Sequence, residues 1–228
     1  METSLHRDLK TLYAGEDPHC EVKLGSYRID AVSGDQLVEI QHGSLAAIRD
    51  KVRRLLESHR VLVVKPIVVQ KLLVKQACEG GRVTERRMSP KQGRLLDVFD
   101  DLVYFTRVFP HRRLTIDVAL VDIEEWRYPG HGRRRRWRSR DHQVSDQKLL
   151  SVREIHRLKT TSDLASLMPA SLPRPFHTGH LATSLQVPRW VAQRIAYCLR
   201  QTGTAEQVGK LGNALLYEMT KARRKPAA

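Results

Sequence analysis

The stretch YRIDAVSGDQLVEIQ, residues 27–41, constrains the fold more tightly than any other part of the chain. Two apolar runs, Tyr27 to Val32 and Leu37 to Ile40, flank Ser33-Gly34-Asp35, a turn signal, and together they predict a β-hairpin. Side chains alternate along a strand, so Val38 and Ile40 fill one face and Glu39 and Gln41 the other, while Asp30 points away from Ile29 and Ala31. Two carboxylates, Asp30 and Glu39, are thereby expected to converge on neighbouring strands.

The surroundings of the hairpin set its context. Leu5, Leu9 and Leu12 make a stripe that predicts a helix over residues 2–13, stopped by Gly15 and Asp17-Pro18. Residues 20–24 read as a strand with Gly25-Ser26 as its turn. After the hairpin, Ser44 is a suitable N-cap for LAAIRDKVRRLLES, whose apolar residues share one face. VLVVKP and IVVQKLLVK read as two strands separated at Pro66 and closed by Gly80-Gly81. Ser89-Pro90 then predicts a helix through KQGRLLDVFDDLVYFTRVF to Pro110. LTIDVALVDI and residues 148–158 read as strands, SDLASLM as a short helix, and Pro169, Pro173 and Pro175 as a domain boundary.

Charge narrows the partners. Among 228 residues, 40 Lys and Arg stand against 25 Asp and Glu, a formal charge of +15 that favours a polyanion such as nucleic acid. Residues 126–140, WRYPGHGRRRRWRSR, hold seven arginines and no acid, and their Pro and Gly residues predict a loop. In it Arg133, Arg134, Arg135 and Arg136 with Trp126 and Trp137 suit phosphate binding and stacking on an unpaired base, or equally a plain solvated basic loop. Cys20, Cys78 and Cys198 lie far apart and suggest neither a disulfide framework nor a cysteine zinc site. No secretory signal or membrane span is legible, so a cytoplasmic, nucleoid-associated protein is expected.

The order helix, three strands with Asp30 then Glu39-x-Gln41, helix and further strands resembles the PD-(D/E)XK nuclease superfamily over roughly residues 1–75. The resemblance implies that Asp30, Glu39 and the backbone carbonyl of Ile40 bind Mg²⁺ or Mn²⁺. Two carboxylates also suit Mg²⁺ on chemical grounds, because that ion keeps several waters and shares its shell with phosphate. Gln41 stands where the family usually has lysine; glutamine orients a water but brings no charge. Lys51, on the following helix, is the candidate replacement. Glu2 on the first helix is the candidate for a further acid, with Glu21 as the competing choice and a dipole-favoured surface acid as the bland one.

HTGHLATSL and PRWVAQRIAYCLRQTG read as two helices and AEQVGKLGNALLYEM as a hairpin, an order that resembles winged helix-turn-helix domains over residues 174–220. The resemblance implies that Arg189, Gln193 and Arg194 are the exposed polar residues of a recognition helix, with Val191, Ile195 and Leu199 as its core stripe and Lys210 touching phosphate from the wing. His177-x-x-His180 has metal-like spacing, but without a third ligand a capping or surface role is favoured over zinc.

These readings give an α/β fold: a restriction-endonuclease-like mixed sheet flanked by helices over residues 1–160, and a small winged-helix domain over 170–222. The expected function is Mg²⁺-dependent hydrolysis of DNA phosphodiesters. The alternative is a non-catalytic DNA-binding regulator on the same fold. RNA processing and homodimerisation stay open.

Overall fold

The computed structural model describes residues 2–14, 19–130 and 142–220. The architecture is α/β with a large mixed sheet. Helix α1 spans Ser4–Ala14 and leads to strands β1 (His19–Leu24), β2 (Tyr27–Ser33) and β3 (Gln36–Ile40). A 3-10 turn at Leu45–Ile48 opens α2 (Arg49–Leu55), and the Ser44 hydroxyl accepts the Ala46 N–H, as expected of an N-cap. Then follow β4 (Arg60–Gln76), β5 (Val83–Met88), α3 (Val98–Leu102), β6 (Leu114–Pro129) and β7 (His142–Leu158). The last elements are α4 (Thr161–Ala165), α5 (Thr178–Leu185), α6 (Arg189–Gln201), β8 (Ala205–Leu211) and β9 (Ala214–Met219).

Among the described residues the large sheet has seven strands, ordered β1-β2-β3-β4-β6-β7, with β5 antiparallel on β4. The expected hairpin is present: β2 and β3 are antiparallel, with Ala31 opposite Val38 and Ser33 opposite Gln36, and Gly34 takes a positive φ of 58° in the turn. Ile29, Ala31, Val38 and Ile40 are buried, and α1 packs on β2 and β3 through Leu5 and Leu9. Leu12, the third residue of the expected stripe, is 53% exposed; the buried face of α1 runs instead through Leu5, Leu9, Lys10 and Ala14.

Two expected boundaries are moved. Pro66 does not divide two strands; β4 runs through it for 17 residues. Every residue from Val61 to Ile67 is buried, and the proline ring suits extended backbone while removing only one donor. Packing of that run outweighs one missing hydrogen bond. The helix expected from Ser89-Pro90 to Pro110 is cut to a 3-10 turn at Leu95–Asp97 followed by α3. Its first residues are held otherwise: the Gly93 N–H donates to the Val68 carbonyl at 2.8 Å, and a Cβ on Gly93 would sit 2.5 Å from that oxygen. The backbones approach too closely for a helical turn with side chains.

Contacts group the chain into two compact units of interleaved segments. The first comprises Met1–His42, Val63–Leu95 and Asp117–His156; the second comprises Gly43–Leu62, Leu96–Ile116 and Arg157–Ala228. Within the second, α5 and α6 pack together, α6 packs on β8, and β8 and β9 form an antiparallel hairpin turning at Gly212. The buried face of α6 is Ala192, Ile195, Ala196, Cys198 and Leu199; Val191, expected in the core stripe, is only half-buried. No helix among the described residues is long and apolar enough to cross a membrane.

Candidate active site

The paired register of β2 and β3 ends at Ala31 and Val38, and the two acids stand just beyond it. Continuing the register of Ala31 with Val38 by one residue sets Asp30 opposite Glu39, on a common face. Asp30 Oδ2 accepts the Ile40 N–H at 2.8 Å. That amide is the one a continuing ladder would pair with Ile29, so a carboxylate replaces a backbone rung and the strands can separate. Glu39 is buried, with 3% of its surface exposed.

Helix α1 adds a polar edge to the same unit. His6 Nε2 lies 3.2 Å from Asp30 Oδ1 and 3.7 Å from Glu2 Oε1, and Lys10 Nζ, nearly buried, lies 2.6 Å from the same Glu2 oxygen. Glu2, expected on the first helix, precedes α1 and reaches His6 and Lys10, which lie four apart on one helix face. Thus Glu2 joins Asp30 through His6. The competing acid Glu21 lies on β1.

On the other side, β3 meets β4: the Gln41 N–H donates to the Val64 carbonyl at 2.9 Å. The next residue, Lys65, is buried and its Nζ donates to the His42 carbonyl at 3.0 Å. A buried ammonium therefore stands beside the motif that lacks its own lysine. Sequence reasoning missed Lys65 together with His6 and Lys10; the signal was a lysine inside an otherwise unbroken apolar run, since Lys is rarely buried without a partner. Lys51, chosen from sequence, lies on α2 in the second compact unit.

A second charged cluster in the first unit lies near the first, since both Lys71 and Glu125 act electrostatically on His42, which burial and Lys65 hold below its ordinary pKa. Glu125 is buried between Lys71 Nζ at 2.5 Å, Gln147 Nε2 at 2.8 Å and Arg127 Nε at 2.5 Å. Burial pushes its carboxyl up, but the hydrogen bonds from Lys71, Gln147 and Arg127 outweigh it and hold the group at about 2. Trp126 is half-buried, donates from Nε1 to Glu124 at 2.8 Å, and has Lys148 Nζ 4.8 Å from its ring centroid. One stacking face of Trp126 is thus shared with a cation. Arg133, Arg134, Arg135, Arg136 and Trp137 lie outside the described residues.

In the second unit Arg189 and Gln193 are exposed on α6, as expected of surface polar residues. Arg194 is instead half-buried, ion-paired with Asp100 and 5.0 Å from the Trp190 ring centroid. Its charge is largely used within the fold. Lys210 is exposed on β8, opposite Leu215 and one rung below the turn. His177 and His180 form a capping box on α5: His177 Nδ1 accepts the N–H of Gly179 at 3.0 Å and of His180 at 3.2 Å, and the His177 N–H donates to His180 Nδ1 at 3.3 Å. The rings stack at 3.6 Å. The pair serves as a cap, the role favoured over zinc.

No three His, Cys, Asp or Glu side chains among the described residues converge as a cation cage. The donor set at the hairpin is two carboxylates, which suits Mg²⁺ or Mn²⁺ completing its shell with water and phosphate, and does not suit Zn²⁺.

Comparison with known proteins adds family and no activity. A family model described as a domain of unknown function (DUF8091) matches residues 3–159. An uncharacterized protein of Treponema pallidum (strain Nichols) is 29% identical over 218 residues, covering 95% of this chain and 84% of the relative. No solved structure matches the chain.

Proposed function

We propose that this chain, which belongs to the DUF8091 family, is a metal-dependent endonuclease of the PD-(D/E)XK type acting on DNA. The observation that carries the reading is the placing of Asp30 opposite Glu39 where β2 and β3 part, with the buried Lys65 on the next strand. Asp30 and Glu39 would hold Mg²⁺ or Mn²⁺, with the Ile40 carbonyl as a further ligand implied by the resemblance. The bound ion would supply an acidified water and offset charge on the attacked phosphate.

The chain's own residues do the rest. The Gln41 amide orients a water by hydrogen bonding. Lys65 supplies the positive charge that Gln41 lacks, in a setting of low polarity where a charge acts more strongly. His6 bridges Asp30 and Glu2 and fixes the rotamer of Asp30. The surplus of basic residues draws in the polyanion and holds it. Residues 170–222, read as a winged helix, would place the catalytic unit on its substrate through α6 and the β8–β9 hairpin.

A second reading, a DNA-binding regulator without catalysis, draws on Gln41 in the lysine position and on the want of a third converging ligand among the described residues. Cleavage of labelled single-stranded, duplex and branched DNA with Mg²⁺, Mn²⁺ or EDTA decides between them. Metal-dependent cutting by the wild type that is lost in Asp30→Ala and Glu39→Ala supports the nuclease. Binding without cutting in every lane supports the regulator.

A further inference from the structure

In the second unit a groove of about 270 Å³ runs beside α6, lined by Arg189, Gln193, Tyr197 and Arg200 from the helix and by Asn213 and Leu215 from the hairpin. The helix residues follow one another at steps of four, four and three, so they form a single face. From Arg189 to Arg200 that face is about 16 Å long. No acid lines the groove. Neither Arg189 nor Arg200 has a carboxylate partner among the described residues, whereas Arg194 on the same helix is neutralised by Asp100. Two uncompensated guanidiniums therefore stand at the ends of a channel of mixed polar and apolar lining, with the 42% exposed Tyr197 between them.

We propose that this groove binds a single unpaired strand of nucleic acid. Arg189 and Arg200, at the two ends of the face, take phosphates more than one nucleotide apart on the strand, for which the guanidinium fork is suited. Tyr197 stacks on a base, and the amides of Gln193 and Asn213 bond to base edges. The aromatic ring selects the strand form: in a duplex the base faces are covered by their neighbours, and only an unpaired base offers one to a side chain. The inference deepens the nuclease reading, and rests on it for the class of polymer, by naming the form of strand the chain holds.

Binding is measured by fluorescence anisotropy in EDTA, with labelled 20-mers of thymidine, mixed-sequence duplex DNA and uridine RNA, for the full chain and its variants. EDTA separates holding from cutting, so failure of the nuclease reading leaves this measurement intact. The wild type is expected to bind the thymidine strand at least about tenfold more tightly than duplex. Arg189→Ala/Arg200→Ala should lower single-strand affinity by about tenfold or more and flatten its salt dependence by about 1.4 in log–log slope. Tyr197→Ala should weaken the single strand by about tenfold while leaving duplex binding unchanged, and Tyr197→Phe should restore it. Unchanged thermal unfolding of these variants excludes misfolding as the cause. Tight binding of uridine RNA with the same variant pattern supports the groove equally. Equal affinity for strand and duplex, single-strand binding indifferent to all three variants, or no binding by the wild type overturns it.

Discussion

Asp30 accepts the Ile40 N–H through Oδ2 at 2.8 Å, so the acid proposed to hold a metal also closes the backbone ladder between two strands. The two roles are separable by substitution. Asp30→Asn keeps an oxygen for the Ile40 amide but loses the charge that faces His6, and should cost less than Asp30→Ala, which also leaves that amide unpaired and should cost about 1–3 kcal/mol. Both should abolish metal-dependent cleavage. Chemical denaturation beside the cleavage assay checks this; cleavage surviving in Asp30→Asn would remove Asp30 from the proposed chemistry.

Lys65 should matter for rate more than for folding. Lys65→Met keeps the length and apolar stem of the side chain, and its cleavage rate should fall by about 100-fold or more while its circular dichroism stays that of the wild type. Lys51→Met on α2 should cut at the wild-type rate. The reverse pattern would restore the lysine chosen from sequence.

Glu125 makes stability depend on acid. Its carboxyl lies at about 2 in the folded chain against an ordinary 4.5, so its contribution is fully present above pH 4.5 and is lost as pH falls towards 2. The shift corresponds to something on the order of 3 kcal/mol. Urea unfolding between pH 6 and pH 2 should show this decline. Glu125→Gln should be less stable at pH 6, because Lys71 and Arg127 lose their counter-charge, and flatter with pH. A variant as pH-dependent as the wild type would assign the decline to other acids.

The His177 cap should be visible in stability and silent towards metal. His177→Ala removes the acceptor for the Gly179 and His180 amides and should cost about 0.5–2 kcal/mol. His177→Asn, which can cap in the same way, should recover most of it. Zn²⁺ should not raise the melting temperature of the wild type; a rise lost in His177→Ala would give the pair a metal role after all.

The local features were readable because local chemistry decides them. The β2–β3 hairpin follows from Ser33-Gly34-Asp35 and the alternation around it, and α5, α6 and the final hairpin follow from helix periodicity and a glycine turn. What escaped was set by residues far away in sequence. Pro66 sits inside β4 because burial from Val61 to Ile67 overrides a proline, and the helix after Pro90 starts late because Gly93 is pressed against Val68. At the candidate site, Asp30 and Glu39 were legible as neighbours on a hairpin, while Lys65, 24 residues from Gln41, comes beside it only through strand pairing. Arg194 looked like a surface arginine since nothing local announces Asp100.

The interleaving of the two compact units carries a consequence for how the chain is made. The Ser4 hydroxyl donates to Asp146 Oδ2 at 2.6 Å, joining the first helix to a strand more than 140 residues later, and the first unit draws on segments as distant as Met1–His42 and Asp117–His156. During synthesis α1 and the β2–β3 hairpin emerge early, yet the strands β6 and β7 that complete their unit leave the ribosome only after most of the chain has been translated. For that interval β2 and β3 can already hold α1, but β4 lacks its final neighbour β6, and closing such long loops makes folding slow. Protease resistance of the nascent chain should therefore come late, when β6 and β7 close the sheet over strands β2 to β4 that were brought together earlier.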